Sequence, residues 1–147
     1  MPASSRTMSD LHPELATRWR LSAQEFAKQF PNQPAPFLTC TYRNNADQQK
    51  SYDQGRTKPG KIVTQAKPGQ SLHNYYPSLA FDIAFKANGQ VSWDVALFAQ
   101  FAGVARNFGL AWGGDWQTFK DYPHFQPPNF TWQQAANGDE PVFPSLP

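Results

Sequence analysis

The chain has 147 residues, of which 39% are apolar and 16% charged, with a net charge of +2 and one cysteine, Cys40. That length suits a single domain able to bury its own core, while the lone cysteine excludes an internal disulfide and any zinc site built from several thiolates. Lys and Arg are scattered without the basic stripe expected of a nucleic-acid binder, and no apolar run approaches the roughly 20 residues of a membrane span.

The N-terminal MPASSRTMSDLHPE lacks a basic segment followed by an apolar one, so no secretory signal is expected and synthesis is placed in the cytoplasm. LHPELATRW predicts a first helix, with Pro13 in its opening turn and Leu11, Leu15 and Trp19 on one face. Ser22, followed three residues later by Glu25, has the form of a capping box, and Leu21 and Phe26 that of a hydrophobic staple, so a second helix is expected over residues 21–30. PNQPAP breaks the pattern, and PFLTCTYR after it reads as a strand with Arg43 at its end.

NNADQQKSYDQGR predicts a polar surface helix, and TKPGKIVTQAKPGQS a loop with two Lys-Pro-Gly turns. LAFDIAF is a strand carrying Asp82, Asn88-Gly89 a hairpin turn, and Gln90-Val91 the start of the return strand. Leu97, Phe101, Val104 and Phe108 recur at helical spacing, behind Ser92 as N-cap and ahead of Gly109, and mark the core helix. From about 126 to 147 the chain is rich in proline and aromatics without periodicity, and a coil wrapping the surface is expected; no repeat, linker or second domain is evident.

The chain holds three histidines. Two of them sit near carboxylates: Asp82 lies on the strand that follows His73, and Asp121 precedes His124 by three residues. A catalytic zinc ion commonly takes three nitrogen or oxygen ligands and keeps one open position. Two nitrogens and two carboxylates allow one carboxylate to bind the metal and the other to take a proton from its water. His12 has no comparable partner and reads as structural; Cys40, flanked by threonines, reads as a small buried residue and not a nucleophile. Trp112 and Trp116 read as core, and Tyr75 and Tyr76 as core or groove lining.

The stretch TYRNNADQQKSYDQGRTKPGKIVTQAKPGQSLHNYYPSLAFDI, followed by WGGDW and KDYPHF, resembles the zinc peptidases that include D-alanyl-D-alanine carboxypeptidases and the L-alanyl-D-glutamate endopeptidases of phage endolysins. These belong to a superfamily shared with lysostaphin and the hedgehog signalling domain. The resemblance runs from about Leu11 to Phe125 and rests on a Ser-x-His, an Ala-x-Asp on the next strand, and an acid three residues before a final His, supplied here by Ser71, His73, Ala80, Asp82, Asp121 and His124.

It implies an α+β fold, one small domain over residues 1–147 with helices packed on a central antiparallel sheet, a zinc site on that sheet, and no separate wall-binding domain. It implies His73, Asp82 and His124 as zinc ligands, Asp121 as general base, and Arg43 holding the substrate carbonyl or developing oxyanion. Gln48, or Gln49 in its place, would face the substrate, together with Ser71; Asp115 would orient a histidine or shape the groove. Asp82 follows His73 by nine positions, two more than in the family pattern, and the extra residues around Tyr76 to Ser78 are expected to form a bulged turn. A register shift there would turn Asp82 away from His73.

The activity implied is zinc-dependent hydrolysis of the L-alanyl-D-glutamate bond of the peptidoglycan stem peptide. A D-alanyl-D-alanine carboxypeptidase or dipeptidase is the alternative enzyme, and a non-catalytic zinc- or peptidoglycan-binding module the alternative from another class. A monomer is expected, reaching the cell wall once the membrane is permeabilised.

Overall fold

The computed structural model describes residues 2–147. In chain order the elements are α1 (Pro13–Gln29), β1 (Ala35–Cys40), α2 (Asn45–Asp53), β2 (Phe81–Ala87), β3 (Gln90–Ser92), α3 (Val95–Asn107), β4 (Ala111–Trp112), β5 (His124–Gln126) and α4 (Trp132–Ala136). The two helices expected before residue 31 are one. Leu15, Trp19, Ser22 and Phe26 are all buried along a single stripe of α1, spaced three or four residues apart, so packing of that stripe overrides the local cap signal at Ser22. The true N-cap is His12, whose ring accepts from the Glu14 amide. At α3 the cap is likewise displaced: Asp94, not Ser92, accepts from the Ala96 amide.

The strands form one antiparallel sheet in the order β1-β2-β5-β4, with β3 continuing beside β2. Asn88 and Gly89 both hold positive φ in the β2–β3 turn, as a two-residue hairpin requires. Side chains alternate along β2. Phe81, Ile83 and Phe85 enter the core with Leu15, Trp19 and Phe26 of α1 and Phe98, Phe101, Ala102 and Ala105 of α3. Asp82 lies between them in sequence and faces the opposite side of the sheet.

The long connection from His73 to Asp82 bulges outward where expected. Tyr76 and Pro77 are exposed, joined by a cis peptide bond. The chain is recaptured at Ser78, whose amide donates to the Asp10 carbonyl and whose carbonyl accepts from the His12 amide, at 2.8 and 2.9 Å. Tyr76 Oη donates to Asp10 at 2.8 Å and its ring meets Tyr42 edge-on at 5.4 Å. The extra residues are thus clasped by the N-terminal arm, and β2 enters the sheet in register.

The tail, expected as surface coil, contains α4, capped by a Thr131–Gln134 capping box. Phe130 is buried beside Leu72, Leu79 and Ala80, with Tyr75 and Trp132 packed against them, in a small second core on the site side of the molecule. Further on, buried Arg18 donates to the carbonyls of Phe108 and Pro144 and lies over the Phe143 ring at 4.7 Å, fastening the last residues to α1.

Candidate metal centre

His73 is the middle residue of a short 3-10 turn, Leu72–Asn74, begun by a capping box between Ser71 and Asn74. The turn buries His73 and points it at β2. Asp82 projects from β2, and β5 supplies His124 directly opposite it as its Cα partner. Two strands and one turn therefore bring to one place three residues that are 9 and 42 positions apart. His73 Nε2 lies 3.1 Å from Asp82 Oδ1, and His124 Nδ1 lies 3.4 Å from the same oxygen. The imidazole rings stand 5.2 Å apart at 74°.

These spacings suit a metal. Donors about 2.0–2.2 Å from a tetrahedral zinc ion lie about 3.3–3.6 Å from one another, close to the separations of Asp82 Oδ1 from the two histidines. Two donor clusters, Cys40 with His73 and Asp82, and Asp82 with Asp121 and His124, each hold their ligand atoms within 4.8 Å, and Asp82 is common to both.

The outward nitrogen of each ring is already committed. His73 Nδ1 donates to the Thr41 carbonyl at 2.8 Å, and His124 Nε2 donates to the amide oxygen of Gln126 at 2.8 Å. Each ring is thereby oriented with a lone pair on the nitrogen that faces Asp82, the arrangement a metal-binding histidine needs.

Without a metal the same proximity is satisfied by charge. Burial opposes the charged form of His73, but the Asp82 carboxylate prevails and raises its pKa to about 10. Burial likewise opposes ionisation of Asp82, and the charges and hydrogen bonds of the two histidines overcome it, holding its carboxyl well below the usual range. Burial raises the Asp121 carboxyl, with the Asp82 charge adding to it against the attraction of His124, His73 and Arg43.

Asp121 Oδ2 sits 3.9 Å from His124 Nδ1 on the solvent side of the cluster. Arg43 reaches the other side, its Nη2 3.5 Å from Asp82 Oδ2 and 3.6 Å from Cys40 Sγ. Gln48 lies behind Arg43, fully buried. Its oxygen accepts from Arg43 at 3.1 Å and from Asn74, and its nitrogen donates to the Ala66 carbonyl, so it braces Arg43 and its side chain is not free to meet a substrate. Gln49 is exposed and donates to Asp53. Ser71 lines the cleft while its hydroxyl accepts from the His73 amide. Asp115 stands outside the cleft, exposed, with both oxygens 2.8 Å from Arg106 Nη2.

Gly113, two residues before Asp115, has a role that no motif announces. A Cβ there would lie 2.3 Å from the Asp121 carbonyl oxygen and 3.1 Å from the Cβ atoms of Asp121 and His124. Only glycine lets this segment press against the DYPH turn, whose Asp121 amide donates to the Gly113 carbonyl at 3.1 Å. The doublet in WGGDW was the available signal. The second glycine, Gly114, is needed for the Trp112 indole, which donates to the Tyr122 carbonyl at 2.6 Å.

The cluster forms the floor of a cleft of about 560 Å³. The cleft is also lined by residues 63–66, by Trp116 and Phe119, and by Phe130 and Trp132 of the tail. Trp116, expected in the core, is partly exposed and its ring lies 5.1 Å from that of His124.

Residues 64–127, which hold His73, Asp82, Asp121 and His124, match the D-alanyl-D-alanine carboxypeptidase family of M15 peptidases. Peptidase M15 is therefore the family that this stretch of the chain is similar to. The chain is 40% identical over 99 residues to the peptidoglycan L-alanyl-D-glutamate endopeptidase CwlK of Bacillus subtilis (strain 168). That match takes in 60% of this chain and 58% of CwlK, so the chain spans less than two thirds of that relative's length. The fold matches the crystal structure of the Serratia marcescens L-Ala D-Glu endopeptidase ChiX, with a TM-score of 0.64, 26% identity and 82% of each chain covered. No helix of the chain is long and apolar enough to cross a membrane, among the described residues.

Proposed function

We propose that this chain is a zinc-dependent peptidoglycan endopeptidase that hydrolyses the L-alanyl-D-glutamate bond of the stem peptide. His73, Asp82 and His124 would hold the metal, with Asp121 as general base. The observation that carries this reading is the pinning of both histidines by acceptors on their outer nitrogens, which aims two lone pairs at one carboxylate on the floor of an open cleft. The names of CwlK and ChiX support the choice of bond.

Bound there, zinc would supply Lewis acidity toward a water molecule and toward the scissile carbonyl. Asp121, on the solvent side of His124, takes the proton of the attacking water and returns it to the amide nitrogen as the C–N bond breaks. Arg43 is placed to donate to the oxygen that gains charge, and Gln48 beneath it keeps the guanidinium in place. In this reading the chain acts as a monomer, in the manner of an endolysin, once the membrane is permeabilised.

Purified peptidoglycan digested with the enzyme, followed by mass spectrometry, tests the bond. New L-Ala carboxyl and D-Glu amino termini are expected; release of free D-Ala from pentapeptide stems would instead establish the carboxypeptidase reading, which the description of the matching family favours. Asp121→Ala should abolish turnover and retain zinc. Full activity in that variant would remove Asp121 from the mechanism, and zinc binding without any hydrolysis by the wild type would leave a non-catalytic module.

A further inference from the structure

Gln126 follows His124 by two residues on β5 and so shares its face of the sheet. Both ends of its amide are engaged. The nitrogen donates to the Phe130 carbonyl at 2.9 Å, and the oxygen lies 2.8 Å from His124 Nε2. A carbonyl can only accept, so the amide nitrogen must face Phe130 and the amide oxygen must face the histidine. Turning the amide over would set its oxygen against the Phe130 carbonyl. An amide oxygen also only accepts, so His124 Nε2 must carry a hydrogen, and the neutral ring that binds a metal then has its lone pair on Nδ1, the atom 3.4 Å from Asp82 Oδ1.

The anchor at the far end is firm. Phe130 is buried in the second core with Leu72, Leu79 and Ala80, and Tyr75 donates to the Trp132 carbonyl just beyond it. This segment lies past residue 127, where the family match ends. His73 has the corresponding partner in a backbone carbonyl, that of Thr41, which no substitution can remove; at His124 the partner is a side chain.

We propose that Gln126 is a positioning residue that fixes the tautomer and ring orientation of His124 for metal binding, with the buried Phe130 segment as the anchor that fixes Gln126. This rests on the zinc reading of the site. It makes the C-terminal segment part of the metal centre without supplying a ligand.

The test is the affinity of the full chain for Zn²⁺, measured by competition with a chromophoric chelator, for the wild type, Gln126→Leu and Gln126→Glu. Leucine removes the acceptor for His124, and a loss of about 10- to 100-fold is expected, the usual cost of removing such a partner. Glutamate keeps an acceptor but cannot donate to Phe130. Its Zn²⁺ affinity should stay within about threefold of wild type even though its melting temperature in chelator falls at least as far as that of Gln126→Leu. A merely structural role would make affinity follow melting temperature in both variants. Wild-type affinity in Gln126→Leu, or equal losses in the two variants, would overturn the proposal alone; a wild type that binds no Zn²⁺ would overturn it together with the zinc reading. Should Gln126→Leu fail to fold, ¹⁵N spectra of histidine-labelled, zinc-loaded wild type decide. A hydrogen on His124 Nε2 is expected, and one on Nδ1 would overturn the proposal.

Discussion

Asp82 and His124 are direct Cα partners across the antiparallel ladder of β2 and β5, with the carboxylate oxygen of one 3.4 Å from Nδ1 of the other. The ladder that holds the sheet together therefore also sets the spacing of these two side chains. Asp82→Ala removes the residue common to both donor clusters, and zinc affinity should fall by at least about 100-fold, since even outer partners of a ligand are worth about 10- to 100-fold. Near-wild-type zinc content in the purified variant would show that the metal, if bound, is bound elsewhere.

Gly113→Ala should damage the site from outside it. The added methyl has no room against the Asp121 carbonyl, so the DYPH turn must shift, at a cost of about 1–3 kcal/mol typical of overpacking. Because Asp121 and His124 move with that turn, hydrolysis should fall further than the melting temperature alone explains. Unchanged turnover would mean that the turn accommodates the methyl without moving the base.

Gly103→Ala is the opposite case. Gly103 lies exposed in the interior of α3, and a Cβ there meets nothing within 4 Å. Alanine should stabilise the fold by about 0.5–1 kcal/mol through helix propensity, seen as a higher denaturation midpoint with unchanged activity. A lower midpoint would contradict the exposed, unstrained placement of that residue.

Arg43→Met should lower kcat on peptidoglycan by about 10²- to 10³-fold, the range found when one oxyanion donor is removed, with KM little changed. A rise in KM alone would assign Arg43 to ground-state binding of the substrate.

In chelator, stability should depend on pH through the His73–Asp82 pair. His73 has its pKa raised to about 10 in the folded chain, so its contribution is present below the ordinary histidine value near 6.5 and is lost as pH rises toward 10. Asp82 is lowered, so its contribution is present above 3.8 and is lost on acidification. Thermal melts of metal-free wild type against His73→Gln should therefore show a difference at pH 6 that shrinks by pH 10. A difference that grows with pH would reverse the sign of the pairing.

The sequence by itself determined the sheet strands, the hairpin and the core helix, and the residue types available to the site. Alternation placed Phe81, Ile83 and Phe85 on one face and Asp82 on the other, Asn88-Gly89 fixed a hairpin, and the Leu97–Phe101–Val104 spacing marked the core helix. These signals act over two to four residues; the candidate ligands His73, Asp82 and His124, 9 and 42 positions apart, are singled out instead by the resemblance to the zinc peptidases. Where two local signals competed, as at Ser22, burial of the α1 stripe decided, and a cap pattern cannot report burial.

Tertiary structure alone decided the rest, because it depends on contacts between residues far apart in the chain. The clasp of Ser78 by Asp10 and His12 kept β2 in register after the longer connection, and the pairing of Asp115 with Arg106 took that carboxylate out of the cleft. Packing beneath Arg43 turned Gln48 from a substrate contact into a brace. The lone pair that His124 presents to Asp82 is set by a hydrogen-bond chain running through Gln126 to Phe130, in a tail whose sequence shows no periodicity.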